Sequence, residues 1–266
     1  MAKDSRLSAD QIERYSRQIM VPDLGGKGQM QLRQARVLVV GAGGLGSPAA
    51  FYLAAAGVGT LGLIDADQVE LSNLQRQILH FTPDIGMAKV ESARAKLAQL
   101  NPEVEIKISP VRFESGNAEA VVADYDFIID GSDNFSTKFL LNDIAVKKQI
   151  AFSHAGVVRL QGQVMTVVPG RSACYRCVFR EPPPPEEILS CQQAGILGAV
   201  AGTIGTIQAT EAIKYLTGIE EGLLTDQLLT YDARWMKFHL VPVKKNPACA
   251  ACGGSGLEKT PGATAL

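Results

Sequence analysis

The stretch Arg36-Val37-Leu38-Val39-Val40-Gly41-Ala42-Gly43-Gly44-Leu45-Gly46 decides the fold class of this chain. Its continuous apolar run, bounded by glycine, is typical of a buried parallel strand. An alanine-rich segment follows to about residue 56, and its pattern predicts a helix. Residues 60–64 then predict a second strand, which leads directly into Asp65. This order of strand, glycine loop, helix and strand indicates a βαβ unit.

The glycine loop, Gly41-x-Gly43-x-x-Gly46, indicates a nucleotide site because it follows a strand and opens a helix. The helix start offers free N–H groups to a phosphate, and glycine lets a ligand approach the main chain. Asp65 lies where a carboxylate accepts hydrogen bonds from both ribose hydroxyls. NAD, FAD, SAM and ATP all satisfy this pattern, and a tight turn without a nucleotide is the structural alternative. The loop therefore predicts a nucleotide but no reaction.

The remaining periodicity extends the βαβ unit to a larger α/β fold. Helical patterns cover residues 8–20, 27–34, 86–100, 135–147 and 194–216, and strand patterns cover 104–108, 127–130, 150–153, 161–168, 228–231 and 235–241. Because no helix separates the strands at 150–153 and 161–168, we expect antiparallel strands after this point. The sequence thus predicts a Rossmann-like doubly wound sheet, mostly parallel with added antiparallel strands.

The chain is expected to form a single domain over residues 1–252. Its parts would be N-terminal helices in 8–34, a nucleotide-binding half in 35–155 and a second half in 156–252. Residues 180–190 contain four consecutive prolines, which predict an extended exposed loop. We expect residues 253–266 to be a disordered tail.

Composition excludes some classes of function. Lys and Arg number 26 against 27 Asp and Glu, which gives a net charge of −1, and no basic stripe supports nucleic-acid binding. The longest apolar run, residues 194–207, is too short and too rich in glycine to span a membrane. The charged N-terminus lacks the apolar region of a signal peptide. These features together predict a cytoplasmic protein.

The five cysteines divide into two pairs and one remaining residue. Cys174 with Cys177 and Cys249 with Cys252 have the number and spacing of a tetrahedral zinc site, so we expect a Cys₄ zinc clip. Two disulfides are the alternative, but nothing in the sequence points to an oxidising compartment. Cys191 is left over, either as a reactive thiol or as a small buried residue. The three histidines have no paired ligand spacing, and the sequence assigns them no role.

Charged and polar residues follow the nucleotide loop. Arg76 lies within Leu71-Ser72-Asn73-Leu74-Gln75-Arg76-Gln77, and Lys89 lies in the first turn of the following helix. Both side chains bind phosphate well, although isolated surface cations are more often solvated. Asp133 and Asn134 follow the strand at 127–130, at an edge where open α/β sheets bind ligands. Asp133 therefore predicts Mg²⁺ beside a phosphate, with a helix cap as the alternative.

These motifs together resemble one protein family. The stretches RYSRQI, GAGGLGS, IDAD, LSNLQRQ, KVESA, DGSDN and CYRC and a final CxxC occur in the order found in the MoeB/ThiF/HesA group. This group contains the ubiquitin-activating-like adenylyltransferases of bacterial sulfur transfer. The chain is most similar to the MoeB-like branch, which activates a molybdopterin-synthase sulfur carrier.

The resemblance implies the ligands and their residues. ATP would lie on the glycine loop, close to Gly44 and with its ribose on Asp65. The residues implied around the triphosphate and Mg²⁺ are Arg17, Ser72, Asn73, Leu74, Gln75, Arg76, Lys89, Asp133 and Asn134. In relatives Arg76 reaches the active site of the neighbouring subunit, which implies an obligate homodimer.

The expected activity is adenylation of the C-terminal Gly-Gly carboxylate of a small ubiquitin-like sulfur carrier. The half at 156–252 would bind the carrier and the zinc. Cys191 matches a cysteine that in some relatives links to the carrier after adenylation. Since residues 253–266 leave no room for a sulfurtransferase domain, sulfur would come from a separate sulfurtransferase or cysteine desulfurase. The rival interpretations are an NAD(P)-dependent Rossmann oxidoreductase and a non-catalytic partner of an activating enzyme.

Overall fold

The structure, a computed structural model, describes residues 6–184 and 194–253, and within them eight strands form one sheet. The parallel half consists of β1 (Arg36–Val40), β2 (Thr60–Ile64), β3 (Glu105–Ser109) and β4 (Phe127–Asp130). The other half consists of β5 (Ala151–Val158), β6 (Gln161–Val167), β7 (Gln227–Asp232) and β8 (Lys237–Pro242). The strand order is β3-β2-β1-β4-β5-β6-β7-β8, and pairing is parallel as far as β5 and antiparallel beyond it. The predicted fold class is therefore confirmed.

Helices flank both faces of this sheet. They are α1 (Ala9–Arg14), α2 (Ser16–Ile19), α3 (Gly25–Gln34), α4 (Gly46–Ala55), α5 (Lys89–Leu100), α6 (Ala118–Val122), α7 (Phe135–Lys148), α8 (Tyr175–Val178) and α9 (Gly198–Thr217). Two short 3₁₀ turns cover Leu71–Asn73 and Thr82–Asp84. Among the described residues, none of these helices combines the length and the hydropathy that crossing a membrane requires.

The core divides into two layers because side chains alternate along each strand. In β1, Val37 and Val39 pack with α4, α5 and α9 on one face. Leu38 and Val40 pack with α6, α7 and α8 on the other face. The continuous apolar run that decides the fold is thus explained by burial on both sides.

Several predicted boundaries are wrong. The expected helix over residues 8–20 is broken at Tyr15, which turns inward so that its hydroxyl donates to Glu103 and accepts from Asn101. The helix expected from residue 86 begins at Lys89, since Gly86 has a φ of 88°. The helix expected from residue 194 begins at Gly198.

Other differences concern the length of a strand and the number of helices. The strand expected to end at residue 153 continues to Val158, because it passes beyond β4 to pair with β6. The short helices α6 and α8 were not predicted. Most of the expected loop at 180–190, namely 185–190, and all of the expected tail but residue 253 lie outside the described residues.

Glu211 anchors α9 to the sheet. Its buried carboxylate accepts hydrogen bonds from the Thr166 hydroxyl at 2.6 Å and the Leu224 N–H at 2.7 Å. The same carboxylate accepts a hydrogen bond from Lys214 Nζ at 2.7 Å. This contact holds the longest helix against β6.

Replacing Glu211 with alanine should lower the free energy of unfolding by about 2–5 kcal/mol, because its donors lose their buried acceptor. Thr210→Ala, at the exposed neighbouring position, is the matched control and should stay within about 0.5 kcal/mol. Urea unfolding of both variants measures the difference. Equal stability of the two variants would contradict this role for Glu211.

Candidate active site

Glycine allows two loops to touch at the carboxyl edge of the parallel strands. Gly41 has a φ of +92°, and a Cβ there would lie 2.8 Å from the carbonyl oxygen of Gly131. A Cβ on Gly46 would lie 1.9 Å from the carbonyl oxygen of Gly41. Gly41 and Gly46 are therefore required for main-chain packing, whatever ligand the loop binds.

The middle of the glycine loop is less crowded. A Cβ on Gly43 would meet Gln77 at 3.7 Å, which is an ordinary contact, and one on Gly44 would meet the Arg76 stem at 3.4 Å. Both glycines line a large cavity. The loop thus presents its central main chain to any bound ligand.

This cavity measures about 1260 Å³ and runs along the carboxyl edge of the sheet. It extends from the ends of β2 and β1, past the loop after β4, to the antiparallel strands. The residues predicted from sequence that line it are Gly41, Gly43, Gly44, Asp65, Arg76, Lys89, Asp133 and Asn134. Most of the predicted site is therefore brought to one surface.

Asp65 joins the glycine loop to the end of β2. One carboxylate oxygen accepts the Ala42 N–H at 2.8 Å, and the other accepts the Asp67 N–H at 2.8 Å. Burial raises the pKa of Asp65, although Lys89 and these hydrogen bonds oppose the shift. Each oxygen retains acceptor capacity towards the cavity, as binding to ribose hydroxyls requires.

Two cations lie beside the glycine loop. Lys89 is buried and its ammonium bonds Asp67 at 2.9 Å. Arg76 donates to the Ser72 carbonyl at 3.0 Å and has no carboxylate partner among the described residues. Arg76 lies in the wall of its own chain's cavity, and the contact with a neighbouring subunit that the resemblance implies stays a prediction.

Asp133 and Asn134 have different local roles. Asn134 caps α7, since its side chain accepts the Thr137 N–H at 2.9 Å. The helix-cap alternative considered for Asp133 is therefore wrong. Asp133 is exposed to the cavity and has no hydrogen bond or ion pair within the described part of the chain. A carboxylate of this kind is available to a cation.

Some predicted residues do not line the cavity of this chain. Arg17 is exposed on α2, and Gly46 is buried beneath the loop. Ser72, Asn73, Leu74 and Gln75 form the turn before Arg76 and support its main chain rather than the cavity wall. Cys191 lies outside the described residues.

The two cysteine pairs meet in space. Their Sγ atoms lie within 4.8 Å of one another, with Cys174–Cys249 at 3.6 Å and Cys177–Cys252 at 3.4 Å. Four sulfurs bound to one tetrahedral zinc lie about 3.8 Å apart, whereas bonded sulfurs are about 2 Å apart. The donor set and spacing therefore fit a metal better than disulfides.

One protein-family model matches most of the chain. The model described as the ThiF family matches residues 15–251. This chain belongs to the ThiF family. The predicted membership is thus confirmed over most of the sequence.

Similar proteins support the ThiF assignment and the predicted enzyme class. The SAMP-activating enzyme E1 of Haloferax volcanii is 47% identical over 253 residues, which cover 95% of this chain and 93% of that protein. The adenylyltransferase and sulfurtransferase MOCS3 of Anopheles gambiae is 43% identical, over 93% of this chain and 56% of that protein. A probable adenylyltransferase/sulfurtransferase, MoeZ of Mycobacterium tuberculosis, is 43% identical, over 92% and 63%. The chain thus spans little more than half of the two longer relatives.

Solved structures of a further protein share the ThiF-type fold. E. coli MccB, in its structure with MccA-N7isoASN, has a TM-score of 0.83 at 24% identity, over 93% of this chain and 76% of that one. E. coli MccB with ATP has a TM-score of 0.77 at 25% identity, over 90% and 74%. The first likeness concerns the fold alone.

Sequence reasoning missed four buried polar residues at or behind the cavity wall of this ThiF-family protein. Gln77, Lys138 and His154 line the cavity, and Asp130 lies behind it in contact with Lys138 and His154. Gln77 was visible in the LSNLQRQ stretch, where a polar residue beside the nucleotide loop was the available signal. The other three come from β4, α7 and β5, and no spacing pattern connects them.

Gly43→Ala and Gly46→Ala form a matched pair that separates ligand binding from packing. Gly46→Ala should destabilise the fold by about 1–3 kcal/mol or more, since its Cβ overlaps a carbonyl. Gly43→Ala should change stability by less than about 1 kcal/mol but weaken Mg-ATP binding more than about tenfold, because its Cβ protrudes where a phosphate approaches. Urea unfolding and nucleotide titration test both. Unchanged nucleotide affinity in Gly43→Ala would contradict a ligand seated on this loop.

Proposed function

We propose that this protein uses Mg-ATP to adenylate the C-terminal glycine carboxylate of a small ubiquitin-like sulfur carrier, releasing pyrophosphate. One observation carries the proposal. A single cavity joins the glycine loop, the two cations and the unpartnered carboxylate of Asp133, and then continues towards β6, β7 and β8. It has room for a nucleotide and for the end of a peptide together.

The chemistry requires no protein nucleophile. A C-terminal carboxylate has a pKa near 3.5, so at neutral pH it already carries the attacking charge. The chain has to hold this anion in line with the α-phosphate while pyrophosphate leaves. Arg76 and Lys89 stabilise the negative charge that develops on the phosphate oxygens.

Asp133 is the residue that would hold Mg²⁺. Its carboxylate has no hydrogen-bond or ion-pair partner among the residues that the structure describes, and Mg²⁺ usually takes one or two carboxylates together with phosphate oxygens. When bound there, the ion would neutralise triphosphate charge. Asn134, which caps α7, fixes the start of the helix beside it.

Two arguments favour ATP over NAD as the ligand. The ATP complex of E. coli MccB shares both the fold and 25% of its sequence with this chain. An oxidoreductase would leave Arg76 and Asp133 without a role. A non-catalytic partner would not need these two residues together with Lys89 on one surface.

Relatives indicate the class of substrate. The Haloferax relative is named for activating SAMP, and it matches this chain over almost its whole length. MOCS3 and MoeZ are named as sulfurtransferases as well. The present chain aligns with 56% of the length of MOCS3 and 63% of the length of MoeZ. We assign the activation step to this chain and propose a sulfurtransferase or cysteine desulfurase as the source of sulfur. Cys191 remains a candidate for a covalent step after adenylation.

A second copy of the chain completes the proposed assembly. Arg17 is exposed and lies outside the cavity of its own chain, so a phosphate contact by Arg17 requires a neighbouring copy. Large apolar side chains are exposed on the segment beside Arg76, namely Leu71, Ile78, Phe81, Ile85 and Met87. Exposed apolar surface of this kind marks interfaces. We therefore propose that the protein forms a homodimer.

The four clustered cysteines are assigned to zinc. Cys174 and Cys177 lie at α8, and Cys249 and Cys252 lie after β8, so the ion would join the segment after β6 to the segment after β8. The Asn246 N–H donates to Cys177 Sγ at 3.3 Å, as main-chain amides do towards metal-bound thiolates. The cluster is not remote from the cavity, because Tyr175 lies beside Cys174 and in the cavity wall.

Carrier-dependent exchange of labelled pyrophosphate into ATP tests the proposed activity. We expect exchange only when Mg²⁺ and a ubiquitin-like protein ending in Gly-Gly, taken from the same genome, are both present. Removing the two terminal glycines from that carrier should abolish it. Failure of every such carrier to support exchange would overturn the proposal.

Variants of the cavity test the assigned residues. Arg76→Ala, Lys89→Ala and Asp133→Asn should each lower the exchange rate by about 10²–10³-fold, the usual effect of losing one charge-stabilising group. Arg94→Ala, at an exposed arginine paired with Glu91 on α5, should leave the rate within twofold or so. A normal rate in the three cavity variants would exclude these roles.

Zinc content and stability test the cysteine cluster. Cys249→Ser should lose the bound zinc and about 3 kcal/mol of stability, which corresponds to a fall in Tm of roughly 6–12 °C. Cys191→Ser, the matched control outside both pairs, should keep about one zinc per chain. Elemental analysis and thermal unfolding measure both quantities. Full zinc content in Cys249→Ser would rule out the assignment.

A further inference from the structure

A buried cluster that the adenylation mechanism does not use lies beside the cavity, and two of its residues, Lys138 and His154, line it. Asp130 ends β4, Lys138 lies on α7 and His154 lies on β5, and their side chains are 8% exposed or less. Lys138 Nζ contacts Asp130 Oδ2 at 3.1 Å and donates to the Ala155 carbonyl at 2.7 Å. His154 Nδ1 contacts the same Asp130 oxygen at 2.9 Å.

The charges of this cluster fix its protonation. Burial would raise the pKa of Asp130, but the Lys138 charge and the hydrogen bonds from His154 and Ser132 outweigh it and hold that pKa well below its usual range. Burial lowers the pKa of His154, despite its contact with Asp130. At neutral pH Asp130 is therefore an ionised carboxylate and His154 a neutral imidazole.

This protonation fixes the tautomer of His154. An ionised carboxylate can only accept a hydrogen bond, so the imidazole proton must lie on Nδ1. Nε2 then carries a lone pair and is an acceptor only. It is buried and has no hydrogen-bond partner within the described residues. The rings of Tyr175 and Phe179 pack near the imidazole ring, with centroids 4.3 Å and 6.3 Å from that of His154.

The order of the strands shows which ligand group could supply the donor. Asp65 follows β2, the glycine loop follows β1, Asp133 follows β4 and His154 lies on β5, in that spatial order. Neighbouring strands lie about 4.8 Å apart, so β5 is roughly 14 Å from β2. In the proposed function the nucleotide extends from Asp65 towards Asp133, which places His154 beyond the triphosphate. Phosphate oxygens are acceptors and cannot satisfy Nε2. The group next to the phosphate on this side is the incoming tail of the carrier.

We propose that His154 Nε2 accepts a hydrogen bond from a main-chain N–H at the C-terminal Gly-Gly of the carrier. The assignment rests on the proposed adenylation. Glycine suits the site because, without a side chain, its N–H can come closest to an acceptor that is covered in the free protein. Asp130 and Lys138 act through His154, as positioning residues that keep the lone pair directed away from the carboxylate.

Carrier kinetics in the exchange assay test this assignment. His154→Phe keeps an aromatic ring but removes the acceptor, and should raise KM for the carrier about 10-fold to 100-fold. KM for ATP should stay within threefold of the parent value. His154→Gln retains an acceptor oxygen and should recover most of the carrier affinity. Ser153→Ala, whose side chain points to the opposite face of β5, controls for disturbance of the strand.

A modified carrier provides a second arm that does not depend on the stability of any variant. Replacing the last peptide bond, or the one before it, with an ester removes one N–H and little else. One of these esters should raise KM with the parent enzyme by the same factor as His154→Phe. The same ester should cause no further loss with His154→Phe.

The outcomes separate the two proposals. If the parent enzyme exchanges pyrophosphate but neither ester nor His154→Phe changes KM for the carrier, a buried water satisfies Nε2 and this inference is wrong. Nitrogen-15 spectra of the histidines offer a check without turnover. Finding the proton on Nε2, or no shift of that signal when carrier is added, would also overturn the inference. Absence of exchange with every carrier overturns the proposed function itself.

Discussion

The site depends on contact between main chains that have no side chain between them. The Gly41 carbonyl oxygen lies where a Cβ of Gly46 or Gly131 would otherwise be, at 1.9 Å and 2.7 Å from the ideal positions. Because these glycines touch, the loops after β1 and β4 run side by side. The donors of the first loop and the carboxylate of Asp133 then face one cavity. Any Cβ at this contact would separate them.

Paired and unpaired charges have different tasks around this cavity. Lys89 with Asp67, and Lys138 with Asp130, neutralise each other in or near the protein wall. Their cost of burial is offset by close partners, and they hold the surrounding main chain in place. Arg76 and Asp133 have no oppositely charged partner among the described residues. In the proposed function these two groups act on a charged ligand together with Lys89, which lines the same cavity.

The sequence predicted those features that a local pattern of residues determines. The strands at 36–40, 60–64 and 127–130 were placed to the residue, because strands buried on both faces appear as unbroken apolar runs. The glycine loop, Asp65 and the paired cysteines also carry local signals. The Asp130–His154 contact does not, since 24 residues separate the two and neither position has a characteristic spacing. The break at Tyr15 likewise depends on Asn101 and Glu103, which are distant in sequence.

The strand order has a consequence for how the chain folds during synthesis. β1 takes its place between β2 and β4, yet Val37 and its β4 partner Phe127 are ninety residues apart. Ribosomes add roughly 5–20 residues per second, so β1 waits about 5–18 s with one edge unpaired. During that time the loop after β4, which packs against the glycine loop, has not yet formed. A nascent chain therefore cannot bind its ligand on the glycine loop until the strand at 127–130 has emerged.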